Sequence, residues 1–125
     1  MNKEQVLHKF WSSFGWSARD ENSVPDDAFA LYGGHYITYN VGTAALNEPV
    51  PLSADLWLKH SSWAEITQKA EQIANAITVA GKVLPFDGGY LWICRGIPFS
   101  QRVGDTDDTI RRISLNITVE YLSAN

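Results

Sequence analysis

The N-terminal segment carries apolar side chains at the spacing of an α-helix. They recur every three or four residues and so fall on one helix face: Val6, Leu7, Phe10, Trp11 and Phe14. Gly15 follows the last of them, and glycine commonly ends a helix. Residues 19–28 hold four acidic side chains and Pro25, so the sequence predicts a loop there.

Three later segments have the composition or the alternation of β-strands. Residues 36–41 are rich in β-branched and aromatic side chains, which favour strands. Residues 52–58 place an apolar side chain at every second position, with Ser53, Asp55 and Trp57 between them. Residues 112–121 alternate in the same way and predict a last strand whose apolar face consists of Ile113, Leu115, Ile117, Val119 and Tyr121.

A second helix and a hairpin are predicted between these strands. Ser62-Trp63-Ala64-Glu65 has the sequence of a capping box, in which the serine hydroxyl accepts from the Glu65 amide. An apolar stripe follows at helical spacing, and Gly81 is expected to close the helix. Residues 83–86 and 90–95 flank Asp87-Gly88-Gly89, which predicts a tight hairpin. Residues 96–109 are polar, contain Pro98, and predict a long loop.

These elements together predict the fold class. Helix, hairpin, helix, hairpin and strand follow one another along the chain, and 125 residues are enough for one domain. We therefore expect a single α+β domain over residues 1–125, with two helices packed on one face of a mostly antiparallel sheet.

Charge and composition narrow the classes of function. Ten basic against 14 acidic residues give a net charge of −4, and a protein that binds nucleic acid usually has a surplus of Lys and Arg. Sequence-specific nucleic-acid binding is therefore not expected. The only cysteine, Cys94, lies in an apolar run and is expected to be a buried, inert thiol. The N-terminus lacks an apolar signal segment and no apolar run approaches a membrane span, which predicts a protein without a membrane partner that is made and kept in the cytosol.

No group of residues has the spacing of a catalytic or metal site. His8, His35 and His60 are scattered, and none has a cysteine or carboxylate at metal-ligand spacing. The segment Asp105-Thr106-Asp107-Asp108 resembles part of a calcium loop but lacks the glycine and the distal glutamate of an EF-hand. We expect no catalytic residue, no metal and no cofactor.

One segment concentrates charges of both signs. Four of the five arginines lie in residues 95–112, together with three aspartates. Arginine is enriched at interfaces, and charges of both signs on one loop suit contact between identical subunits. The sequence therefore predicts a subunit interface that includes Pro98, Phe99, Arg102, Asp105, Asp107, Asp108, Arg111 and Arg112. A second acidic group is expected to face a partner, or to line the lumen if the subunits close into a ring: Asp20, Glu21, Asp26 and Asp27.

Several short motifs follow one another in a characteristic order from about residue 14 to the C-terminus. They are Val24-Pro25-Asp26-Asp27-Ala28, Tyr36-Ile37-Thr38-Tyr39, Ser62-Trp63-Ala64-Glu65-Ile66, Asp87-Gly88-Gly89-Tyr90-Leu91-Trp92, Arg95-Gly96-Ile97-Pro98-Phe99-Ser100-Gln101-Arg102, Asp107-Asp108 and Arg111-Arg112-Ile113-Ser114-Leu115-Asn116-Ile117. In their order and spacing these motifs resemble the minor capsid or tail-terminator (tail-completion) proteins of long-tailed phages and prophages. The approach to the Tyr36 strand, Leu31-Tyr32-Gly33-Gly34-His35, is longer than the family pattern suggests.

The resemblance implies a structural virion protein with a tail-terminator-like fold. Such a protein forms a homohexameric ring at the head-proximal end of the tail, stops polymerisation of the tail tube and presents the surface that joins the head. Its partners would be itself, the tail tube protein and a head-completion or connector protein, in the host cytoplasm during assembly and then in the virion. Two alternatives remain: a head–tail connector of the neck, and a small-molecule-binding α+β domain, because fold alone does not determine function.

Overall fold

The computed structural model describes residues 1–42 and 46–124. Three helices and six strands follow one another along the chain: α1 (Lys3–Ser12), β1 (Ala18–Asp20), α2 (Ala28–Leu31), β2 (His35–Tyr39), β3 (Pro49–Lys59), α3 (Ala64–Ala76), β4 (Lys82–Phe86), β5 (Gly89–Val103) and β6 (Ile110–Ser123).

The six strands form one mixed sheet in the order β1-β2-β3-β6-β5-β4. β1 runs parallel to β2, and the other neighbours are antiparallel. The sheet is curled into a half-barrel, and strands hold 45% of the residues against 22% in helices. This is therefore a strand-dominated fold.

The expected α+β, tail-terminator-like fold, with two helices on one face of the sheet, is wrong. Long, twisted strands bend a sheet, and β3, β5 and β6 have 11, 15 and 14 residues. A third helix, α2, lies against the convex face instead, where the ring of Phe29 meets that of Tyr36 edge-on with centroids 5.1 Å apart. The two expected helices thus account for only part of the packing.

The concave face of the sheet holds the core. The alternation predicted for β3 and β6 is confirmed: the inward side chains are buried and the outward ones are half-buried or exposed. From α1, Leu7 and Trp11 are fully buried against this face, and from α3, Ile66 and Ile73 are too. Alternating burial therefore fixes which side of each strand is available to solvent.

The first helix is confirmed, and its start is capped in a way that the sequence reading missed. The Asn2 side chain accepts from the Gln5 amide at 2.8 Å, and the Gln5 side chain accepts from the Asn2 amide at 2.9 Å. α1 ends at Ser12, before Gly15, yet Phe14 remains buried and packs edge-on against Phe10 at 5.3 Å.

The second expected helix exists as α3, but its predicted capping box is wrong. The Ser62 hydroxyl accepts from the Ala64 amide at 3.1 Å, not from Glu65. Trp63, the residue that precedes the helix, has helical dihedral angles and makes no side-chain cap. Farther along, Lys69 Nζ donates to the Phe14 carbonyl at 2.6 Å, which ties α3 to the segment after α1. Burial lowers the pKa of Lys69.

The hairpin about Asp87-Gly88 is confirmed, whereas both predicted loops are partly wrong. Residues 19–28 contain the end of β1 and the start of α2, elements too short to show a periodicity. Residues 96–109 are mostly strand, because β5 continues to Val103. Only residues 104–109 form a turn. Within residues 1–42 and 46–124, every helix is too short or too polar to cross a lipid bilayer.

Candidate assembly surface

Two-thirds of β5 is uncovered along one edge. β4 pairs with β5 only from Gly89 to Ile93, so beyond that point the described residues place no strand next to it. Residues 94–103 therefore form the outer edge of the half-barrel, which we call the β5 edge. Strand edges of this kind are the usual places where another chain docks.

A bulge interrupts the β5 edge and holds one apolar side chain in solvent. Arg95 pairs with Ile117 and Ser100 with Leu115, so residues 96–99 all lie opposite Asn116. The side-chain nitrogen of Asn116, Nδ2, donates to the Pro98 carbonyl at 3.0 Å. Phe99 turns inward against the core, while Ile97 is 101% exposed. The bulge thus projects Ile97 away from the sheet.

The sequence placed Arg102 and Arg111 in one interface, and the structure brings them together around an indole ring. Their guanidinium carbons lie 4.7 and 5.3 Å from the ring centre of Trp63. Arg111 Nη2 also donates to the Ser61 carbonyl at 2.8 Å. Arg111 is half-buried, whereas Arg102 is exposed on the β5 edge. Of the two, Arg102 is the better placed to meet a partner.

Arg112, also expected at the interface, lies on the convex face and is paired inside the subunit. Its Nη2 donates to Asp55 Oδ2 at 3.0 Å, and its guanidinium lies 4.8 Å from the ring centre of Trp57. The Ser114 hydroxyl donates to the other Asp55 oxygen at 2.5 Å. The sequence reading missed Asp55 and Trp57 because the register between β3 and β6 was unknown. Their shared outward face on β3 was the available signal.

The aspartates of the expected interface lie in the turn at residues 104–109. Asp105 accepts from the Asp107 amide at 3.0 Å, and Asp107 accepts from the Thr109 amide and hydroxyl at 2.8 and 2.7 Å. These two Thr109 donors hold the pKa of Asp107 below its ordinary value. Within the described residues, no ion pair joins Asp105, Asp107 or Asp108 to an arginine.

The second acidic group lies at the opposite side of the sheet. Residues 20–27 begin with the last residue of β1, the strand at the other edge, and we call them the acidic segment. Asp20 is half-buried and accepts from the Asn22 amide at 3.0 Å. Glu21, Asp26 and Asp27 are exposed. Four inter-strand spacings, roughly 19 Å along the curved sheet, separate β1 from β5.

The three histidines do not converge on one site. His8 shares a hydrogen bond with the Tyr39 hydroxyl at 2.9 Å, His35 stacks on Trp16 at 4.5 Å, and His60 accepts from the Ser62 amide. Across residues 1–42 and 46–124, no cluster of three or more His, Cys, Asp or Glu side chains could hold a metal ion. Cys94 is half-buried, not fully buried as expected.

No protein-family model matches the chain, and no curated protein matches it.

Proposed function

We propose that this chain is a structural subunit of a long-tailed phage or prophage virion, a tail-terminator or tail-completion protein that assembles head-to-tail into a ring. The observation that carries the proposal is the β5 edge, with Ile97 fully exposed on a bulge and Arg95 and Arg102 on either side of it. In this role the ring ends polymerisation of the tail tube and presents the surface that joins the head.

The β5 edge suits a partner that contacts it through side chains. Covering an exposed apolar side chain with a partner removes it from water and so favours binding. The bulge and Pro98 interrupt the regular edge, and such features oppose indiscriminate strand addition. Arginine next to an apolar residue is a frequent composition of protein interfaces. A specific docking contact therefore accounts for this edge better than unlimited stacking of sheets.

The two sides of the sheet differ, which favours a ring over a symmetric dimer. One side ends in the short parallel strand β1 and the acidic segment, and the other in β4 and the β5 edge. Contacts between two unlike surfaces of identical subunits repeat head-to-tail and either close into rings or continue as filaments. The sequence resemblance adds the expectation of six subunits, and of the tail tube protein and a head-completion or connector protein as partners.

Sedimentation velocity and negative-stain microscopy test this proposal. We expect the purified protein, alone or mixed with tail tubes from the phage that encodes it, to form closed rings of one size, with the rings at one end of each tube. A protein that remains monomeric in both conditions would contradict the proposal. Rings that bind empty heads but not tubes would instead identify a head–tail connector.

A further inference from the structure

We infer that the β5 edge of one copy binds the acidic segment of a second copy of this chain. The inference rests on the proposed function, because a ring requires two unlike surfaces that fit each other. It names those surfaces as the opposite sides of one curled sheet.

The two surfaces carry opposite charge. Residues 20–27 contain four acidic residues and no basic one, and residues 94–103 contain two arginines and no acidic residue. Their neighbours reduce the contrast without removing it. Arg19 precedes the acidic segment but lies over the Tyr32 ring at 5.4 Å, and Glu71 of α3 lines a groove with Arg102. Complementary charge of this kind fixes the orientation of two docking surfaces and speeds their encounter.

The other acidic turn is a poorer partner for the arginines. Asp105 and Asp107 already accept hydrogen bonds inside residues 104–109, and this turn directly follows the β5 edge in the same subunit. The acidic segment also has exposed carboxylates, those of Glu21, Asp26 and Asp27, and Asp27 makes no side-chain hydrogen bond to cap α2. Three carboxylates are therefore available on the far side of the sheet.

Each surface also offers an apolar contact. Ile97 is 101% exposed between the two arginines, and Leu31, at the end of the helix that follows the acidic segment, is 59% exposed. Val24 and Pro25 lie half-buried within the segment itself. An apolar centre surrounded by opposite charges is the usual composition of a specific interface.

Two charge-reversed proteins test the contact. The edge-reversed variant carries Arg95→Glu and Arg102→Glu, and the segment-reversed variant carries Glu21→Arg, Asp26→Arg and Asp27→Arg, which leaves Asp20 as the one acidic residue of the segment. All five substituted residues are exposed, so circular dichroism and urea unfolding should show that both variants fold. Lys9→Glu with Lys59→Glu is the control, since it makes the same change in net charge as the edge-reversed variant at two exposed residues elsewhere.

We expect each reversed variant alone to need at least a tenfold higher protein concentration to assemble than the wild-type protein, as measured by sedimentation velocity. The control variant should assemble at the wild-type concentration. An equimolar mixture of the two variants should assemble again, because each then offers the other an oppositely charged surface. If the wild-type protein forms rings and the edge-reversed variant does too, or if the mixture fails to assemble, this contact is wrong and the proposed function stands. A wild-type protein that never assembles would overturn both.

Discussion

The arginines of the C-terminal half have different neighbours, and these neighbours determine what each arginine does. Arg112 is held by Asp55 and lies over Trp57, so its charge is used inside the subunit. Arg102 lies over the Trp63 ring and stays exposed. An arginine that is already paired contributes to stability, whereas an exposed one next to an apolar side chain contributes to binding.

The pair between Asp55 and Arg112 gives a stability prediction. Asp55→Ala removes the acceptor of both Arg112 and Ser114, so a charged group and a hydroxyl lose their partners. The side chains of Asp55 and Arg112 are 20% and 33% exposed, and this exposure limits the expected loss in the free energy of unfolding to about 1–2 kcal/mol. Urea unfolding measures it. Asp108→Ala, at an exposed carboxylate, is the control and should change the stability by less than about 0.5 kcal/mol. Equal effects of the two variants would contradict the role of the pair.

Two adjacent glycines in the hairpin give a matched comparison. Gly88 has φ +89° with no atom near the position of a Cβ, so Gly88→Ala meets only backbone strain, about 1–2 kcal/mol. A Cβ on Gly89 would collide with the Leu122 carbonyl oxygen on β6. Gly89→Ala should therefore cost more, at the top of the ~1–3 kcal/mol range for overpacking or above it. Thermal unfolding of both variants measures the difference. A smaller loss of stability in Gly89→Ala than in Gly88→Ala would contradict the close packing of β5 on β6 at this point.

At the scale of elements, the sequence predicted what depends on nearby residues and missed what depends on pairing. α1 and the alternation of β6 follow from the spacing of apolar residues, which is visible in the sequence. β1 exists because its three residues pair with β2, and the local sequence has no pattern that predicts this pairing. Gly96 and Pro98 resemble the residues of a loop, yet pairing with β6 keeps strand geometry on both sides of the bulge.

The candidate site was predictable to a similar extent. The concentration of arginines in residues 95–112 predicted an interface in a loop, whereas Arg102 lies exposed on the β5 edge. The pairing of Arg112 with Asp55 depends on the register that places Arg112 opposite Trp57, which the sequence does not show. The position of the acidic segment on the far side of the sheet depends on the strand order in the same way.

The tyrosines on the strands predict how stability depends on pH. Burial raises the pKa of Tyr36 and Tyr121 above the ordinary value. The ordinary pKa of tyrosine is about 10, so up to about pH 9 the phenol is almost fully protonated in both states and stability is nearly unaffected. Above it the unfolded chain loses its protons first, so stability falls as the pH rises towards the folded-state pKa. Tyr36→Phe with Tyr121→Phe should make this loss smaller in urea unfolding between about pH 9 and pH 11. A loss of the same size in the double variant and in the wild-type protein would contradict this prediction.

At the scale of the whole molecule, the curled sheet separates two surfaces of opposite charge and gives them different directions. A flat sheet would present its edges in opposite directions, and copies added edge to edge would extend in a line. In a half-barrel the two edges are turned towards each other, so each added copy is rotated relative to the last. A repeated rotation of this kind is what closes identical head-to-tail contacts into a ring.

An equimolar mixture of the edge-reversed and segment-reversed variants should therefore form rings with an even number of subunits. Copies of the same variant repel each other at the proposed contact, because the β5 edge and the acidic segment of that variant carry charge of the same sign. The two variants attract each other at both contacts, so they must alternate around a closed ring. For a ring of six, native mass spectrometry should show three copies of each variant and no other composition. Wild-type protein mixed with a mass-labelled wild-type copy is the control, and it should give every composition in random proportion. Rings of the two variants in random proportion would show that the acidic segment and the β5 edge do not meet.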